Sequence, residues 1–138
     1  MSTRRLRLVL LGALALSAWT AFAPTTPARA ADTGTDDAIA HIDRARVLIG
    51  QSADLYAAGD ATAALTAARD AYLDHFEFVE IPLRVRDDAL TLEMEEDFAR
   101  LRGAIEGAAP ASEVRAIAAE VLDGLDRVER ALSSPGLA

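Results

Sequence analysis

The chain has no cysteine and no lysine. Without cysteine there are no disulfides, no thiolate metal sites, no covalent c-type haem attachment and no thiol nucleophile, so the fold must be held by packing alone. Without lysine every side-chain cation other than histidine is an arginine guanidinium, which stays charged and can fork onto a carboxylate. Other chemistry is missing too. There is no Ser-His-Asp order, no glycine-rich phosphate loop and no zinc motif, which argues against an enzyme. No alternating strand pattern competes with the helical ones, and the fold class reads as all-α.

What is present begins with a targeting segment. Arg4, Arg5 and Arg7 form a positive n-region, Leu8 to Ala23 an apolar run, and Ala28-Arg29-Ala30 an A-x-A cleavage site. Residues 1–30 therefore read as a signal peptide, with Ala31 as the mature start. Arg7 stands where a twin-arginine signal would carry an apolar residue, which favours the Sec route. The apolar run is shorter than the ~20 residues a bilayer-spanning helix needs, so an uncleaved anchor fits less well. An extracytoplasmic location follows, periplasmic or secreted. Removing four of the 14 arginines and none of the 22 acids takes the net charge from −8 to −12. Such a surface disfavours nucleic acid and anionic lipid and favours cationic partners or metal ions; it also keeps an exported protein soluble.

The rest of the chain divides into a polar leader (31–35), a helical domain (36–134) and a short tail (135–138) opened by Pro135-Gly136. Asp36 or Asp37 can cap a first helix that Gly59 stops, and Asp60 can cap a second. Ile42, Ala45, Ile49, Ala53 and Tyr56 share one stripe of the first. Ala61, Leu65, Ala68, Tyr72, Phe76, Val79 and Leu83 share one stripe of the second, which Pro82 is expected to bend or end. Asp87 or Asp88 caps a third helix with the stripe Leu90, Met94, Phe98, Leu101, Ile105, closed by Gly107 and Pro110. A fourth, from Ala111 to Leu132, aligns Val114, Ile117, Ala118, Val121, Leu122, Leu125, Val128 and Leu132. Four helices on short connections predict an antiparallel up-down-up-down four-helix bundle.

Acids gather where the second and third helices meet. Glu77 and Glu80 are three residues apart, Glu93 and Glu96 repeat that spacing, and Glu95 lies on the opposite flank. A turn near Val85 and Arg86 sets Glu77 level with Glu95, and Glu80 level with Leu92 or Glu93, within about one helical turn. Paired carboxylates on facing helices are how bundles hold iron or manganese, although the Glu-x-x-His of di-iron carboxylate bundles is missing here. The same acids can instead form a solvated face paired with Arg84, Arg100 and Arg102, each pair worth about 0–1 kcal/mol. His41, on a second face of the first helix with Leu48 and Leu55, reads as a rim residue. His75 reads as half-buried and hydrogen bonded. A haem-carrying electron-transfer bundle using Met94 and a histidine is a further alternative, weakened by Met94 lying within the core stripe.

Three segments carry a resemblance: Tyr72 to Arg84 with Phe76-Glu77-Phe78-Val79-Glu80 at its centre, Asp87-Asp88-Ala89-Leu90, and Glu95-Glu96-Asp97-Phe98-Ala99-Arg100-Leu101-Arg102. Over residues 60–107 they resemble the extracytoplasmic helical domain of bacterial Ftr-type high-affinity iron permeases. The Arg-Glu-x-x-Glu motif of the membrane domain is absent. The resemblance implies a free-standing accessory domain linked to iron uptake, with iron as the candidate bound metal and an iron permease as the candidate partner. It carries Glu77, Glu80 and Glu95 over as site residues, and Tyr72, Phe76, Phe98 and Arg102 as structural ones. A structural or interaction module presenting an acidic hairpin to a basic protein surface is the other reading.

Overall fold

Gly59, at φ 91°, takes a left-handed conformation that ends the first helix and would strain any other residue. The computed structural model describes residues 28–134, with side chains from Gly34 onward; residues 1–27, where the sequence predicts most of a signal peptide, and 135–138 lie outside the described residues. Helix α1 spans Ala28–Ala57. Asp60 then caps α2 (Ala61–Asp70), its carboxylate accepting from the Ala63 N–H at 2.9 Å. The second rod continues without a break through a π-helical turn (Ala71–Phe76) into α3 (Glu77–Arg86). Asp87 stops α3 and caps α4 (Asp88–Glu106), accepting from the Leu90 N–H at 2.9 Å. Helix α5 spans Ala111–Ser133. The described chain is thus four helical rods and short connections, and none of its helices is long and apolar enough to cross a membrane.

One core joins the rods. Ile42 and Ile49 of α1, Phe76, Val79 and Leu83 of the second rod, Met94, Phe98 and Leu101 of α4, and Val121, Leu125 and Val128 of α5 are all fully buried. Each large apolar side chain so buried contributes about 1.5–3 kcal/mol. The two buried polar residues are satisfied, Ser52 donating to the Ala64 carbonyl at 2.8 Å and Thr91 to that of Asp87 at 3.0 Å, whereas the buried Nη1 of Arg102 has no hydrogen-bond partner. Tyr56 ties the end of α1 to the α4–α5 connection by donating to the Ala109 carbonyl at 2.7 Å. Cross-links report direction. Arg127 meets Glu93 while Arg100 meets Glu120, so the pairing climbs α4 as it descends α5. Likewise Ser52 meets Ala64 while His41 meets His75, climbing the second rod as it descends α1.

The π turn sets the phase of the second rod. Its buried positions run Ala64, Ala68, Ala71 and then Phe76, Val79, Leu83. From Ala71 to Phe76 the step is one residue longer than an α-helical face allows, and a π turn absorbs the extra residue. Tyr72 and His75 are thereby spread to opposite flanks, Tyr72 toward α4 and His75 toward α1.

Three expectations need correction. Residues 31–35 are helical rather than a leader: α1 begins at Ala28, and nothing between there and Ala38 forbids helical backbone. Pro82 lies inside α3 and does not end it. Burial of Val79 and Leu83, at about 1.5–3 kcal/mol each, matches or exceeds the ~3 kcal/mol that an interior proline costs. The second-rod stripe is also shifted, with Ala61 exposed, Leu65 and Tyr72 half-buried, and Ala64, Ala67 and Ala71 buried in their place.

Candidate functional site

Tyr72 is the residue around which the acids of the hairpin organise. Its ring packs on Phe98 edge to face at 5.4 Å and lies 6.0 Å from Phe76, and these two phenylalanines meet at 5.0 Å. The Arg102 guanidinium lies 5.0 Å over the Tyr72 ring, a cation–π contact. So fixed, the phenol donates to Glu80 at 2.8 Å. Burial first, then this hydrogen bond, then the negative charges of Glu80, Glu95 and Glu77 push the Tyr72 pKa up to about 12.

Arg84, one turn beyond Glu80, reaches three carboxylates. It binds Glu95 across the hairpin at 2.9 Å, and it stands 3.8 Å from Glu80 and 3.7 Å from Asp88. One guanidinium against three carboxylates leaves the group negative. Glu80 is the least exposed of the three, its side chain 17% accessible. Glu77 is exposed and contributes through its charge on Tyr72.

The other two glutamates go elsewhere. Glu93 is paired with Arg127 of α5, both ends of the guanidinium fork engaging its carboxylate, and that bond lowers the Glu93 pKa against the small opposing effect of burial. Its carboxylate is thus taken by α5 and does not join Glu80: Glu95 is the residue that meets Arg84 beside Glu80. Glu96 is exposed and lies in the field of Asp97. Burial raises the Asp97 pKa despite the salt bridge from Arg100, and Arg100 also meets Glu120. Among the described residues no three histidine or carboxylate side chains converge closely enough to hold a metal ion, and the Arg84 guanidinium stands between Glu80 and Glu95.

The histidines pair with one another. His41 Nδ1 lies 3.1 Å from His75 Nδ1, and the Phe78 ring stacks on His41 at 4.7 Å with 13° between planes. Burial, then His41, then Arg44 lower the His75 pKa, opposed by Asp74 and Asp70. Met94 is fully buried on α4, its sulfur against Gly124 of α5. A histidine–methionine haem pair would have to draw Met94 out of the core.

Comparison with protein-family models, with curated proteins and with solved structures gave no match. The likeness to the permease accessory domain therefore rests on its residues.

Three features escaped the sequence reading. Arg84 is one of three arginines that the sequence offers as partners of a solvated acidic face, and nothing local singles it out as the group between Glu80 and Glu95. The resemblance implies a structural role for Tyr72, which also supplies the hydroxyl that holds Glu80. The π turn left a signal, the five-residue step between apolar Ala71 and Phe76, which becomes visible once Ala64 and Ala68 are taken as the buried face.

Proposed function

We propose that this is an exported, non-enzymatic helical protein on the delivery side of an iron-uptake system, acting through the acidic face of its α3–α4 hairpin. The bundle is up-down-up-down, supported by the opposed running of its cross-links, and it is released outside the cytoplasm by cleavage after Ala30. One observation carries the functional reading. Glu80 and Glu95, two of the three glutamates that the resemblance selects, share Arg84, and Glu80 also accepts from the Tyr72 phenol, whereas Glu93 is taken by Arg127 of α5.

In this reading Arg84 is an internal counter-ion. A hard or borderline cation displaces its guanidinium from between Glu80 and Glu95, gaining carboxylate oxygens, while Tyr72 keeps Glu80 oriented. Thermal unfolding with and without ferrous, ferric or manganous ion tests it, because a ligand of the native state alone raises Tm by mass action. The expected result is a rise in the parent that disappears when Glu77, Glu80 and Glu95 are all replaced by Gln. If no metal raises Tm and the triple variant is markedly destabilised, the glutamates serve only the arginines.

A second reading has its own support. Phe78, Ile81 and Val85 form a stripe along the outside of α3 with 61%, 75% and 85% of their surface exposed. A row of apolar side chains beside acids fits a protein-binding face, whose partner would carry basic groups around an apolar strip. An iron permease's outer surface is the candidate. Binding that weakens with added salt and is lost on Ile81→Asp, with no metal response, favours this reading.

A further inference from the structure

We propose that His41 and His75 form a second cation site, distinct from the glutamate face, that takes a borderline divalent ion of the copper and zinc class through their two Nδ1 atoms. The nitrogens already stand at a ligand-to-ligand spacing. With metal–nitrogen bonds of about 2.0–2.1 Å, atoms 3.1 Å apart subtend about 95–102° at the metal, between square-planar and tetrahedral values. In the empty site a proton bridges the two rings. A cation takes the Nδ1 lone pair of each ring as the rings turn toward it, and the bridging proton leaves Nδ1 while Nε2 of that ring holds one in its place, so both imidazoles stay neutral.

Both rings are held in place before any ion arrives. His41 comes from the middle of α1 and is stacked by Phe78. His75 comes from the π turn, whose extra residue gives the core position to Phe76 and leaves His75 half-buried against α1. Residues thirty-four apart in sequence thus meet by tertiary packing alone. They line a concavity of about 820 Å³ that also takes in Asp37, Arg44, Phe78 and Pro82, which gives an ion a way in. Asp37 in the wall, with Asp70 and Asp74 acting on His75, set negative charge around the pair against that of Arg44.

Ligand type separates this site from the hairpin face. Imidazole pairs suit zinc, copper and nickel, whereas carboxylates suit harder ions, so the two sites sort cations by softness. Among the described residues no third histidine or carboxylate completes the set. The remaining coordination positions are left to water, and the bound ion exchanges readily, unlike one in a closed four-ligand structural site.

Calorimetric titration of the untagged protein with Zn²⁺ is the test, with Cu²⁺ electron paramagnetic resonance as a second measurement. One equivalent of Zn²⁺ is expected, weakened at least tenfold by His41→Gln and by His75→Gln and unchanged when Glu77, Glu80 and Glu95 are all Gln. The copper spectrum should show coupling to two imidazole nitrogens. The proposal is overturned if the parent binds no Zn²⁺, if either histidine variant that folds by circular dichroism binds as the parent does, or if the copper spectrum lacks nitrogen coupling. The spectrum on the parent decides the matter should the variants not fold. Loss of binding in the glutamine triple variant assigns the zinc to the hairpin face and refutes the histidine site alone.

Discussion

Replacing Gly124 with alanine sets two effects of opposite sign against each other. A methyl group there would stand 2.3 Å from the Met94 sulfur and 3.2 Å from its terminal carbon, and Met94 is fully buried. Alanine is favoured over glycine inside a helix by about 1 kcal/mol. Forcing Met94 into another rotamer in a filled core costs about 1–3 kcal/mol. Gly124→Ala should therefore lower stability by about 0–2 kcal/mol. In a Met94→Ala background, itself destabilised by about 2–5 kcal/mol, the clash is gone and the sign should reverse. The same Gly124→Ala change then stabilises by about 1 kcal/mol, a coupling of about 1–3 kcal/mol between the two sites. Urea unfolding of the four proteins, followed by ellipticity at 222 nm, measures the cycle. A stabilising Gly124→Ala in the otherwise unchanged protein, with no coupling to Met94, would show that α4 and α5 do not approach as closely as described.

Other outcomes follow from the same packing and charges. Leu101→Ala, a fully buried change on α4, should cost about 2–5 kcal/mol in urea, and a cost below ~1 kcal/mol would remove Leu101 from the core. Pro82→Ala restores a backbone donor inside a helix that already runs through that position, so Tm should rise by the equivalent of about 1–3 kcal/mol; a fall would mean that the proline ring itself is needed. Because the Tyr72 pKa is raised in the folded state, its contribution to stability is complete below pH 10 and is lost as pH rises toward 12. Absorbance at 295 nm should place its ionisation near the upper value, and Glu80→Gln should bring it down toward 10. Arg84→Gln should enlarge the Tm response to iron or manganese by removing the internal competitor, and an unchanged response would free Arg84 from that role.

Much of the architecture was legible because its signals are local. Asp60, Asp87 and Gly59 act on backbone groups a few residues away, and each does so as its side chain or φ dictates. The α4 stripe is correct at every position because Leu90, Met94, Phe98, Leu101 and Ile105 are large enough to mark one face unmistakably. The second rod misled because its buried face begins with alanines, which resemble their exposed neighbours, and because its period changes partway along. The acids show the same limit. Spacing along a helix puts Glu93 beside Glu96, but only the position of α5 shows that Arg127 claims Glu93, and only the turn at Asp87 brings Glu95 to Arg84.

The π turn has a consequence for how this chain tolerates a change of length. A rod that lost one residue between Tyr72 and His75 would close into ordinary α-helix, with Ala71 and Phe76 now one regular step apart. Everything after the deletion would keep its orientation, and the rod would shorten by less than the ~1.5 Å rise of one α-helical residue. A deletion two turns later, within α3, would instead swing Arg84 by about 100° away from Glu95. The molecule therefore has one place in its second rod where a codon can be lost without scrambling what lies downstream, and that place is the outward-facing pair Leu73 and Asp74.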